Sequence, residues 1–214
     1  MRQPSGGLAL NSLENPRRQW LASSRKASDT PFMAHQFTTS YLKDSLDLFR
    51  HYKRLAEGAL AQCPDANLFT ALDAESNSIA IIVKHMAGNM RSRWTDFLTS
   101  DGEKPDRDRD SEFEAPCKTR DELMESWESG WKTVFAALEP LSEGDLPKTI
   151  TIRTEPHSVM QAINRQLAHY TYHIGQIVFL AKYFAGEHWK ALTVPRRGSA
   201  QFNAEVAAGT KSQR

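Results

Sequence analysis

Apolar residues return at helical spacing in four separate stretches of this chain, and that fourfold pattern leaves few folds open. From Thr39 to about Ala61 the stripe is Tyr41, Leu42, Leu46, Phe49, Tyr52, Leu55 and Ala59, and Cys63-Pro64-Asp65 ends it. A second stripe, opened by a capping serine at Ser76 or Ser78, runs Ile79, Ile82, Val83, Met86, Met90, Trp94 and Phe97. Thr119 to Glu122 reads as a capping box before Leu123, Trp127, Trp131, Val134, Phe135 and Leu138, with Pro140 as the stop. The last stretch opens around Pro156 and Ser158, carries Val159, Ile163, Tyr170, Ile174, Ile177, Ala181 and Phe184, and meets Gly186 as a C-terminal stop. Four amphipathic helices joined by loops predict an all-α domain of the four-helix-bundle type.

Between the helices, Ser100 to Pro116 is crowded with charge and broken by Gly102, Pro105 and Pro116, so a solvated loop is expected. Lys148 to Arg153 alternates Thr and Ile, which predicts a short strand-like arm before the last helix. The chain beyond Trp189, with Pro195 and Gly198, is expected to be irregular. Residues 1–33 lack periodicity and read as a flexible N-terminal extension, or as sequence upstream of a start at Met33; residues 34–205 form the helical domain and 206–214 a flexible tail.

A net charge of +1 gives no field for nucleic acid or acidic membranes, and the longest apolar run, Ile177 to Ala181, is far below the roughly 20 residues of a bilayer span. Cys63 and Cys117 are too few and too isolated for a disulfide framework or a zinc finger, and neither stands where a lowered thiol pKa is expected. A cytoplasmic protein acting on small molecules, without nucleic-acid or membrane partners, is the expectation.

The chemistry lies in the histidines. His169 and His173 are four residues apart, so their imidazoles share one helix face close enough to reach one ion. They sit one position off the apolar stripe, at the edge of the interior, and His85 stands in the same relation to the second helix. A lone inward histidine is usually a hydrogen-bonded core residue; three in matching phase on two helices point to a metal site. His51 belongs to a solvated face, and His35, His157 and His188 lie outside helix interiors, so these four read as structural or surface residues. Gly88, three residues after His85, leaves room for a ligand or for close helix approach.

Two segments, His85-Met86-Ala87-Gly88-Asn89-Met90-Arg91-Ser92-Arg93-Trp94 and Gln166 to Ile177 with its His169-x-x-x-His173 core, resemble the signature segments of DinB-like proteins, in a bacterial branch without an assigned reaction. The resemblance spans about Phe37 to Phe202. It implies an up-down-down-up bundle, a three-histidine site on His85, His169 and His173 that takes zinc or nickel, and a homodimer. Characterised members of the superfamily implied by this resemblance include transferases that use bacillithiol or other low-molecular-weight thiols, and a mycothiol-dependent isomerase of maleylpyruvate.

Three neutral imidazoles leave a divalent ion its charge and an open position, the pattern of catalytic zinc, and such an ion can activate either water or a thiol. No carboxylate occupies the neighbouring positions of the ligand faces, so no general base is expected there. Asn89, Gln166 and Gln176 are candidates to orient a ligand or donate hydrogen bonds, with interhelical polar contacts as the alternative. Arg165, with Arg91 and Arg93, can hold an anionic thiol or a carboxylate, or serve in surface ion pairs. The expected function is a metal-dependent thiol S-transferase or hydrolase; the alternative is a non-catalytic, metal-stabilised dimeric module linked to stress.

Overall fold

A computed structural model describes residues 40–114 and 117–212 of the chain. The expected extension over residues 1–33, together with His35 and Pro116, lies outside the described residues. Those residues form five helices and one two-stranded sheet: α1 (Tyr41–Leu60), α2 (Ile79–Trp94), α3 (Arg120–Leu138), β1 (Thr149–Ile152), β2 (Glu155–Ser158), α4 (Val159–Ala185) and α5 (Ser199–Ala207).

The helix ends follow their capping chemistry. The Ser78 hydroxyl accepts the Ile81 amide at the start of α2, and Thr119 accepts that of Glu122 at the start of α3. At α4 the box is reciprocal: Ser158 accepts the Gln161 amide and the Gln161 side chain accepts that of Ser158. At α3 it is not, because the Glu122 carboxylate takes the amide of Lys118 in place of that of Thr119.

Helix α2 packs chiefly on α3, and α1 on α4, while α2 and α4 also touch and so join the two pairs. The stripes meet where expected: Phe49, Met86, Met90, Leu123, Trp127, Trp131, Leu138, Ile163 and Tyr170 are all fully buried. Removing each such side chain from water contributes roughly 1.5–3 kcal/mol. At their centre Phe49, Trp131 and Tyr170 pack mutually, with ring centroids 5.7 to 6.1 Å apart.

Three expectations need correction. The arm is half of a hairpin, β1 pairing antiparallel with β2 from Thr149↔Ser158 to Ile152↔Glu155, so that Pro156 belongs to a strand and α4 starts only at Val159. Its two-residue turn, Arg153-Thr154, has φ of 54° and 65°, the mirror-image geometry that matches strand twist. Beyond Trp189 the chain is not wholly irregular, since α5 forms there. The largest departure is the loop from Ser100, which is solvated at residues 105–106 and 108–110 but not throughout: Gly102 and Glu112 are buried. The Gly102 amide bonds the Thr151 carbonyl, and Asp101 accepts both amides of the hairpin turn, from Arg153 and Thr154. Glu103 and Glu112 are paired with Arg93, Arg107 and Arg153, and that permits their burial.

Among the described residues no helix is long and apolar enough to cross a membrane.

Candidate metal centre

Helix α4 presents Gln166, His169, His173 and Gln176 on one face, and α2 presents His85 and Asn89 toward it. Where the two helices meet, the three histidines form a cluster whose potential ligand atoms all lie within 4.8 Å of one another. The ring centroids of His85, His169 and His173 are 4.7 to 5.4 Å apart.

Each ring carries an acceptor at Nδ1. His85 Nδ1 is 2.9 Å from Glu112 Oε2, His173 Nδ1 is 2.8 Å from Gln176 Oε1, and His169 Nδ1 is 3.4 Å from Gln166 Oε1. Since a glutamate and two amide oxygens can only accept, the proton of each neutral ring belongs on Nδ1 and the Nε2 lone pair is left for a metal. The Nε2 atoms of His85 and His169 stand 3.3 Å apart. Two nitrogens bound at roughly 2.05 Å to one tetrahedral ion are separated by about 3.3 Å, so the donor set fits such an ion.

The surroundings of His169 and His173 favour uncharged rings. Burial, reinforced by the neighbouring His173 and His85, pushes His169 down to about 3, and burial lowers His173 as well. Glu112 is the counterpart: burial alone would raise its pKa, but the His85 and Arg107 contacts outweigh it and hold the carboxyl below its ordinary value. Arg107 grips Glu112 with two bonds, Nε to Oε1 at 2.8 Å and Nη2 to Oε2 at 2.9 Å. A carboxylate committed to two partners through three hydrogen bonds is a positioning group for His85, not a free base.

Space for Glu112 comes from Gly88, where a Cβ would collide with Oε1 of that carboxylate. The room expected at Gly88 is thus filled by a side chain of the same protein. Phe113 follows Glu112 and packs its ring against His85 at 4.7 Å, closing one side. On another side, His85, His169, Asn89 and Gln166 line a cavity of about 280 Å³.

His85, His169 and His173 come together; Gln166 and Gln176 orient two of them; Asn89 accepts the Tyr170 hydroxyl proton at 3.3 Å and lines the cavity, as does the exposed Arg165. Tyr170 in turn accepts from Trp94 Nε1 at 3.0 Å, tying α2 to α4 behind the site. Arg91 is exposed and off the cavity, whereas Arg93 is buried on its wall. Burial raises both thiols, Cys63 to about 11, which fits neither with a nucleophilic role. Glu112, Arg107 and Glu103 are what sequence reasoning missed. Their one local signal is Phe113, an aromatic residue in a charged loop, which marks where that loop must touch the body.

No curated protein and no solved structure matches the chain. A family model does, over residues 36–198, a span that holds all three histidines and the loop carrying Glu112. The chain therefore belongs to the family described as protein of unknown function (DUF1572).

Proposed function

We propose that this protein is a metal-dependent enzyme of the DinB-like superfamily, an up-down-down-up four-helix bundle in which His85, His169 and His173 hold one zinc or nickel ion. The observation that carries the reading is the set of acceptors on all three Nδ1 atoms, which leaves three Nε2 lone pairs converging beside a cavity. A divalent ion on three neutral imidazoles supplies a Lewis acid with an open position, able to bring water or a thiol toward its anionic form near neutral pH.

The chain's own residues do the rest. Glu112 and Gln176 hold their imidazoles in one tautomer and one orientation, and Phe113 shields the His85 side from water. Asn89 and Gln166 present amide groups along the cavity wall, where they can orient a bound molecule. The proposed reaction is transfer of a low-molecular-weight thiol to an electrophile, or hydrolysis of a small substrate.

A second reading, a non-catalytic dimeric module in which the ion only ties α2 to α4, draws on Tyr172, Phe179 and Tyr183, an exposed aromatic stripe on α4. Turnover separates the two. Metal-loaded protein is incubated with several thiols and chlorodinitrobenzene, and with simple esters, beside a His85→Ala, His169→Ala variant. The enzyme reading expects turnover that the variant lacks; no metal-dependent turnover with any thiol or ester favours the module.

A further inference from the structure

The cavity next to the histidines has a composition the reaction above does not require. Arg93, Arg107, Arg109, Arg153 and Arg165 all line it, and no carboxylate among the described residues does. Two carboxylates stand behind the wall, and both are engaged. Glu103 takes Arg93, Arg107 and Arg153, and Glu112 takes Arg107 and His85. Five guanidinium groups facing two carboxylates leave a local excess of positive charge.

Two details separate this from a loop latch built of ion pairs. Arg93 is only 5% exposed, and its Nε–H is buried without a hydrogen-bond partner. Its Nη groups are held by Ser92, the Gly102 carbonyl and Glu103, so Arg93 stands in the wall as a fixed, desolvated positive charge. Arg165 and Arg109 pair with no carboxylate among the described residues; Arg109 lies over the Phe113 ring, 5.1 Å from its centroid, and so is held beside the site. Neither contributes to the latch.

We infer that this cavity is an oxyanion pocket, and that the substrate is a compact organic acid whose carboxylate or phosphate is gripped by Arg109 and Arg165 beside the fixed charge of Arg93 while its reacting group faces the histidines. This deepens the metal-enzyme reading and rests on it for the reaction, though not for the binding. Guanidinium forks match carboxylate and phosphate geometry with paired charge-assisted bonds. At about 280 Å³ the cavity sits at the small end of ligand sites, roughly 300–1,000 Å³, and suits a molecule of a few carbons.

The test is calorimetric titration of the full chain with malonate and, separately, with inorganic phosphate, on metal-loaded and on metal-stripped protein of measured metal content. Saturable binding to one site is expected, with the tighter of the two anions identifying the oxyanion class. Arg165→Gln and Arg109→Gln are each expected to weaken it about tenfold, as for the loss of one charge-assisted contact, while Arg91→Gln, on the same side of the chain's charge balance but off the cavity, leaves it unchanged. Both replaced arginines are exposed, so folding is not at stake. Failure of both anions to bind, or equal affinity in all three variants, overturns the inference. Anion binding that persists in protein unable to take up metal upholds the pocket while removing the metal reading, and metal uptake without anion binding does the reverse.

Discussion

Glu112 is committed through one oxygen to His85 and through both to Arg107, and Gly88 leaves the space it occupies. Outer-shell partners of this kind are worth 10–100-fold in metal affinity. Glu112→Gln and Gly88→Ala are therefore each expected to weaken metal binding by about that factor in chelator competition, the second despite a helix-propensity gain of about 1 kcal/mol for alanine over glycine. Unchanged affinity in both would separate the carboxylate from the site. The depressed histidines give a pH prediction of definite sign. With His169 at about 3 in the folded chain and near 6.5 unfolded, the unfolded state binds more protons between those values, so this group's contribution is present above pH 6.5 and is lost as pH falls through that window. In metal-free protein the His169 ring resonances are expected to stay put between pH 8 and 5 by NMR, while thermal stability begins to fall below about pH 6.5. A midpoint near 6.5 would mean the ring is not desolvated.

At the scale of elements, the loop from Ser100 to Glu114 is what completes the site, and it is held by contacts far apart in sequence. Asp101 is its anchor, accepting the Arg153 and Thr154 amides at 2.8 Å each where the backbone has positive φ. Asp101→Ala is expected to cost about 1–3 kcal/mol and to speed amide exchange at Gly102 and in β1, read by thermal unfolding and hydrogen exchange. The helices were legible because the burial of Ile79, Trp131 or Ile174 leaves a periodic trace. The ligands were legible because a four-residue spacing on one helix and a matching phase on another are local facts. Glu112 was not: its burial depends on Arg107 and His85, and nothing periodic records a pairing across 27 residues. Glu155-Pro156-His157-Ser158 carries no strand pattern and gains its register from β1 alone, and α5, with no fully buried residue, left no apolar stripe to read.

For the whole molecule, α2 and α4 join two helix pairs, and the Trp94–Tyr170–Asn89 chain of hydrogen bonds and the three histidines both lie on that joint. A metal there would stabilise the fold as well as arm the site. The exposed Tyr172, Phe179 and Tyr183 lie on the outer side of α4, and the dimer of the second reading would form through them. Tyr172→Ser, Phe179→Ser is expected to sediment as a monomer where the parent sediments as a dimer; a monomeric parent would remove the dimer. Whether three imidazoles bind one ion is decided by elemental analysis of untagged protein beside the His85→Ala, His169→Ala variant. About one divalent ion per chain in the parent and none in the variant is the predicted result. Equal, negligible metal in both would contradict it.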